Sequence, residues 1–405
     1  MSAANLPAPL PLEEAQARLL ALTAPLPIER VDVPGAIGRY LAAPLMARRM
    51  HPAAHVSAMD GYAVRADDLA GPWHVVGESA AGHPFAGALG AGDAVRISTG
   101  ALVPEGVNAV IIQEDVRRDG ANLVLTGKAP MPAGRHIRPA GHDFLCDAEL
   151  MPIGHRIGPA QIALAIGAGH RHLTVRRPPR VAIIDSGDEL APDPETCALH
   201  QIPASNGAML AALVASLPAE IVRIGPVPDN VTALTGALDQ AREADVIVTT
   251  GGASVGDRDF IRPALADWGA TLDFWRVAMK PGKPLLVARK GTQLIVGLPG
   301  NPVSGMVTAY FFLLPLLRAL LGAAAPFPRA LPLRLTAALP AVGMRREFVR
   351  GRFADDGIAA VRSQDSGALT ALAATDVLID RRAHAPPASV GEDVCAYLLQ
   401  NGGIA

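Results

Sequence analysis

A β-branched run, Val246-Ile247-Val248-Thr249-Thr250, opens directly into Gly251-Gly252-Ala253-Ser254-Val255-Gly256-Asp257-Arg258-Asp259. A buried strand would end where this small-residue loop begins. Gly251, Gly252 and Gly256 can take positive φ and let a ligand approach the backbone closely. Exposed amides in such a turn favour an anion. Asp257 and Asp259 add oxygen acceptors suited to a hard cation such as Mg²⁺. The expected chemistry is a phosphate held beside its counter-ion. Two later segments fit it. In Lys280-Pro281-Gly282-Lys283-Pro284 two prolines stiffen a turn carrying two ammonium groups, which suit an oxyanion as point charges. Taken alone, that pair fits exposed surface lysines equally well. Gly297-Leu298-Pro299-Gly300-Asn301-Pro302 is a rigid loop after a strand, leading into a helix whose N-terminus can face an anion.

Gly252-Ala253-Ser254-Val255-Gly256 also matches the G-x-S-x-G nucleophile elbow. A triad then needs an acid followed by a histidine. The only histidine after Ser254 is His384, in an alanine- and proline-rich stretch. The charges after Gly256 suit a metal or phosphate loop better than an elbow, so a serine hydrolase using Ser254 is the weaker reading. No P-loop G-K-[ST] and no H-E-x-x-H occurs, and no G-x-G-x-x-G follows a strand in this region.

The elements that must position these loops alternate between strand and helix. Strands are expected at Val181–Ile184, Ile221–Ile224, Val246–Thr249, Leu272–Val277, Leu285–Val287 and Leu294–Leu298. Helices are expected at Asn206–Ser216, Val231–Ala244, Arg262–Trp268 and Val303–Leu321, with Asp229 or Asn230 capping the second. Apolar strands alternating with helices imply a doubly wound, mostly parallel sheet. Its ligands bind beyond the carboxyl ends of the strands. The loops 186–189, 225–229, 250–259 and 299–302 are therefore expected to gather at one edge. Arg176-Arg177-Pro178-Pro179-Arg180 marks the boundary before this domain.

Upstream, residues 10–24 read as an amphipathic helix, Ile28–Val33 as a strand and Gly35–Leu45 as a short helix. Short β runs at Trp73–Val76, Ala94–Ile97, Ala109–Gln113 and Leu123–Leu125 form a small β-rich module. Ser57–Val64 contains an Asp-Gly turn signal at Asp60, Ser98 and Thr99 end a strand, and Asp143 lies in a basic loop. Each of these, alone, also fits an ordinary surface turn. After Pro326 and Pro328, short strands suggest a small β-barrel or sandwich, with Arg345, Arg346, Arg350 and Arg352 on one strand.

The 405 residues allow two to four domains. Half are hydrophobic, only 18% are charged and the net charge is −2, which excludes a general nucleic-acid binder. Cys146, Cys197 and Cys395 are scattered and odd in number, as expected in a reducing compartment. The N-terminus lacks a signal-peptide pattern. Val303–Leu317 contains Pro315, meets Arg318 and is short for a membrane span, so a core helix and a cytoplasmic protein are expected.

Six motifs run in one order: Ser57–Val64 (SAMDGYAV), Ser98–Gly100 with Pro104-Glu105-Gly106, Ser186–Leu190 (SGDEL), Thr250–Asp259 (TGGASVGDRD), Lys280–Pro284 (KPGKP) and Gly297–Ser304 (GLPGNPVS). Together the chain resembles the molybdenum insertase family, the molybdopterin molybdenumtransferases represented by MoeA and the gephyrin E domain. The resemblance implies an α/β multidomain fold. Its parts are an elongated N-terminal domain (1–50 and 140–178), an inserted β-rich domain (51–139), a molybdopterin-binding α/β domain (179–326) and a small C-terminal β-barrel (327–405). It also implies a homodimer whose cleft uses both subunits. The implied reaction takes adenylylated molybdopterin and molybdate, cleaves the pyrophosphate with Mg²⁺ and releases AMP. An adenylyltransferase and downstream molybdoenzyme maturation proteins are the implied partners.

Carried over to this sequence, the catalytic set is Asp60, Thr99, Asp143, Glu189, Asp229 and Asp259, with Glu189, Asp229 and Asp259 as metal ligands. The substrate-binding set is Gly251, Gly252, Ser254, Lys280, Lys283, Pro299, Gly300, Pro302, Arg350 and Ser366. Two departures from the family pattern stand out. Ala204 replaces the usual aspartate in Pro203-Ala204-Ser205-Asn206, and Ser186, after Asp185, stands where the S-T-G-D-E turn of the family usually has threonine. A non-catalytic molybdopterin-binding or scaffold protein is the alternative to the enzyme.

Overall fold

The central sheet is built from β1 (Arg180–Ser186), β2 (Glu220–Val227), β3 (Val246–Thr250), β4 (Thr271–Trp275), β5 (Leu286–Lys290) and β6 (Gln293–Leu298). Their spatial order is β2-β1-β3-β6-β5-β4. The first four run parallel, and β5 and β4 close one edge antiparallel. This computed structural model describes residues 8–65, 67–251 and 260–399. Alternate strand residues point to opposite faces, and each face has its own core. Val181, Ile183, Val246 and Val248 pack with α1 (Asn206–Val214) and the long helix α4 (Pro302–Leu320). Ala182, Ile184 and Ile247 pack with α2 (Val231–Gln240) and α3 (Ile261–Asp267). The domain is doubly wound, as the strand and helix alternation predicts. The Asn230 side chain caps α2 by accepting from the Ala233 amide at 2.8 Å.

Helix α4 is long and apolar enough to span a membrane, yet 89% of that stretch is buried inside the protein. It is the expected core helix. Pro315 lacks the N–H that would bond the carbonyl four residues back. The chain widens to a π-helical turn over Ala309–Leu313, and the Gln16 side chain donates to the Phe311 carbonyl at 2.9 Å instead. Gln16 belongs to the first helix, Leu12–Ala21, whose Leu12, Ala15 and Leu19 enter the core around α4.

The elongated N-terminal part is joined by short antiparallel pairs: Ile28–Asp32 with His172–Arg176, and Leu45–Met46 with Glu149–Met151. The segment between them carries a six-stranded sheet containing Gly61–Val64, Trp73–Ser79, Asp93–Ile97 and Ala109–Ile112. The expected helix over Gly35–Leu45 is absent. Only Pro34–Ala36 makes a 3₁₀ turn, Gly38 takes φ 75°, and Tyr40 and Leu41 bridge to Arg156 and Val175. The Asp-Gly signal leads into a strand within that sheet and not into a surface turn. A Cβ at Gly61 would lie 1.9 Å from the Ile111 carbonyl oxygen, so only glycine permits that strand approach.

At the C-terminus, Leu331–Arg334, Asp393–Leu398, Val377–Arg381, Arg346–Ala354 and Gly357–Ala360 pair in sequence around a sheet. A bridge from Leu335 to Ile358 and the Thr336 amide, donating to the Ile358 carbonyl at 2.9 Å, bring the two ends of this sheet together. Met279–Lys280 adds to Arg346–Glu347 and ties this sheet to the α/β domain.

Candidate functional site

Strands β1, β3 and β6 end side by side, and their loops enclose a cavity of about 640 Å³. The cavity is walled by Asp185 and Ser186 at the end of β1 with Glu189 after it, by Thr250 at the end of β3 with Gly251 after it, and by Pro299–Pro302 after β6. The α1 entry, Pro203–Asn206, closes another side, and Gly367 and Leu369 reach in from the C-terminal sheet. Glycines let the three loops meet. Gly251 has φ 87°, and a Cβ there would lie 2.7 Å from the Ser186 carbonyl oxygen. A Cβ on Gly300 would lie 3.4 Å from the Gly251 Cα. The Asn206 side chain donates to the Gly300 carbonyl at 2.6 Å and fixes the α1 entry to the β6 loop.

Three of the four expected loops converge here. The fourth packs behind the Gly187–Asp188 turn, and its residues 225–228 line a separate cavity of about 310 Å³. The Asp229 amide donates to Asp188 Oδ1 at 3.0 Å. Asp229 therefore does not share the larger cavity with Glu189. Among the described residues no three acidic, histidine or cysteine side chains cluster as a metal site. Gly252, Ser254 and Asp259, with Gly256 and Asp257, lie outside the described residues.

Pro284 lines the cavity and brings the Lys280–Pro284 turn to its rim. Lys283 is exposed, and Lys280 pairs with Glu347 at 3.0 Å. Ser366 accepts from the Asn301 side chain at 3.0 Å through its hydroxyl, and its carbonyl takes the Val303 amide at 3.1 Å. One first-turn amide of α4, expected to face an anion, is thus already bound by the C-terminal sheet. Two of the four arginines expected on the C-terminal strand are already engaged. Arg346 pairs with Asp380 and Glu13. Arg350 is 1% exposed and donates to the Ser363 and Asp365 carbonyls at 2.9 Å each. It holds the loop that carries Ser366 and Gly367, and its Nη1 is buried without a protein partner.

Asp60 and Thr99 come together because Gly61 pairs with Ile97. The Thr99 amide donates to Asp60 Oδ1 at 2.7 Å, and Thr99 holds the carboxyl below the usual carboxylate range. Asp143 is exposed in a loop whose amide donates to the His51 carbonyl at 2.9 Å. None of these three lines the cavity. Sequence reasoning left Asp185 and Leu369 off the site. Asp185 had a signal, an acid at the carboxyl end of an apolar parallel strand. Leu369 had none, since its approach depends on how the C-terminal sheet docks.

Comparison with known proteins agrees with this architecture. Residues 10–169 match the MoeA N-terminal region (domain I and II), 182–319 a probable molybdopterin binding domain, and 332–399 the MoeA C-terminal region (domain IV). A molybdopterin molybdenumtransferase of Nostoc sp. is 36% identical over 86% of this chain and 84% of its own. A protein of the same name from Haemophilus influenzae is 34% identical over 77% of this chain and 78% of its own. The crystal structure of a molybdopterin biosynthesis MoeA protein from Pyrococcus horikoshii superposes with a TM-score of 0.83 at 26% identity. That likeness covers 96% of this chain and 100% of the other.

Proposed function

Because the chain belongs to the MoeA family of molybdopterin molybdenumtransferases, enzymes of molybdenum cofactor biosynthesis, we propose that its substrates are molybdate and adenylylated molybdopterin. A water oxygen attacks the phosphoanhydride and AMP leaves; the two dithiolene sulfurs bind molybdenum, while the displaced molybdate oxygen takes their protons and departs as water. The observation that supports this most is the convergence of the β1, β3 and β6 loops with the C-terminal Gly367 and Leu369 around one cavity.

In this reading Gly251 and Gly300 let the β1, β3 and β6 loops close together around the substrate. Lys280 and Lys283 stand at the rim as point charges for oxyanions. Arg350 positions the Ser366 loop. Mg²⁺ is commonly held by one or two carboxylates plus substrate phosphates, so Glu189, in the cavity wall, fits it without a three-acid cage. When bound, the ion would offset charge at the pyrophosphate. Asp259 is the second carboxylate of this reading. Asp60, Thr99 and Asp143 fall to the partner subunit's side of a homodimer cleft, which accounts for their absence from the cavity wall. The enzyme would work in the cytoplasm, between an adenylyltransferase that supplies its substrate and maturation proteins that take its product.

The test is AMP release by purified protein with adenylylated molybdopterin, Mg²⁺ and molybdate. Molybdate-dependent AMP is the expected result. Tight binding of the nucleotide with no AMP would instead make the chain a non-catalytic molybdopterin-binding protein.

A further inference from the structure

Asp185 is 2% exposed yet borders the cavity, at the end of β1. Its Oδ1 accepts from the Thr250 hydroxyl at 2.7 Å. Its Oδ2 lies 3.5 Å from Arg223, a side chain itself 47% exposed. Burying a carboxylate is costly unless it is well paired, and one hydroxyl with one long, solvent-facing ion pair is a thin complement. A carboxylate offers about four lone-pair sites, so acceptor capacity is left over. The fold makes room for the carboxylate itself. A Cβ on Gly207, in the first turn of α1, would lie 2.0 Å from Asp185 Oδ2. The neighbouring wall at Ala204 carries no polar side chain.

The charge of this wall restricts what can lie on it. Among the described lining residues the ionisable side chains are Asp185 and Glu189, and no lysine or arginine is present. An anionic group is repelled from Asp185, and a neutral group with N–H donors is drawn to it. A pterin ring presents such an edge, an amino group beside a ring N–H, spaced to meet the two oxygens of one carboxylate as an arginine fork does. We propose that Asp185 is the specificity residue that receives the amino-pyrimidine edge of the pterin, and that Gly207 is glycine to seat its carboxylate at the cavity wall. The assignment rests on the proposed molybdopterin substrate. It directs the phosphate end of the ligand away from Asp185, toward the Lys280–Pro284 rim.

The experiment is an anaerobic titration of the wild type, Asp185→Asn, Asp185→Ser and Arg223→Ala. The ligands are molybdopterin, AMP, and the free rings 6-hydroxymethylpterin and 6-hydroxymethyllumazine, the last with an oxygen in place of the amino group. The wild type should prefer pterin to lumazine. Both Asp185 variants should weaken molybdopterin at least about tenfold and lose that preference, with AMP affinity unchanged. Asp185→Ser serves if Asp185→Asn folds poorly. Arg223→Ala, which removes only the ion pair, should keep the preference. If both Asp185 variants bind molybdopterin normally and discriminate as the wild type does, Asp185 is a structural anchor and the assignment is overturned, with the proposed function intact. If the wild type itself binds no molybdopterin, both fall.

Discussion

The Asp60 carboxylate accepts the Thr99 amide at 2.7 Å, joining two motifs 39 residues apart in sequence. Thr99 holds the acid below the usual carboxylate range, so Asp60 is ionised across roughly pH 5 to 8. The pH profile of AMP release should therefore carry no inflection from it in that window. Asp60→Asn keeps the shape but removes the charge. In steady-state assays kcat/KM should fall at least about tenfold while the thermal midpoint stays put, since the side chain is fully exposed.

Glu189 lines the cavity, whereas Asp229 is bound to the turn behind it. Glu189→Gln should raise the Mg²⁺ concentration needed for half-maximal AMP release by about tenfold or more. Asp229→Asn should have a smaller effect on the same titration. Equal effects of the two substitutions would place both acids on one ion, against the observed arrangement.

Arg177 grips Asp245 through two hydrogen bonds of 2.8 and 2.6 Å, and the Arg180 amide adds a third at 2.8 Å. This clamp fixes the boundary segment to the start of β3. Burial raises the Asp245 carboxyl pKa, but Arg177 and the amide outweigh it, and the net value is lowered. A lowered folded pKa gives stability that is present above the ordinary carboxylate value, near pH 4, and is lost as pH falls through the folded value. Asp245→Asn should cost about 1–2 kcal/mol in urea unfolding at pH 7, the pair being partly solvent-screened. The difference from wild type should shrink below about pH 4.

Gln16 supplies the hydrogen bond that Pro315 cannot make to the Phe311 carbonyl. Gln16→Ala leaves that carbonyl without its donor inside a packed core. Urea unfolding should show a loss of about 1 kcal/mol with little change in AMP release at saturating substrate. Replacing Pro315 with alanine in the same background restores a backbone donor and should recover part of the loss.

The strand and helix alternation after Arg180 was legible because fully apolar strands and capped helices are local patterns. The site was legible where chemistry sits in glycine- and proline-rich loops after parallel strands, as at Gly251 and Pro299–Pro302. Long-range pairing hid the rest. Asp60 reads as a turn residue until Gly61–Val64 is seen as a strand whose Gly61 touches Ile111. Arg350 reads as a surface cation because strand alternation does not reveal which face the loop at Ser363–Asp365 covers. Asp229 reads as a cavity acid because the sheet rule predicts which edge a loop reaches, not which side of a neighbouring turn it takes.

In the proposed reaction, phosphoanhydride cleavage and metal transfer are one event at the cavity beyond β1, β3 and β6. The most direct measurement counts both products in a single reaction: AMP by chromatography, and molybdenum retained on molybdopterin after removal of free molybdate. Near-stoichiometric molybdenum and AMP are expected, both lost together in Glu189→Gln. Steady AMP release with no molybdenum on the pterin, or molybdenum loading without AMP, would contradict it.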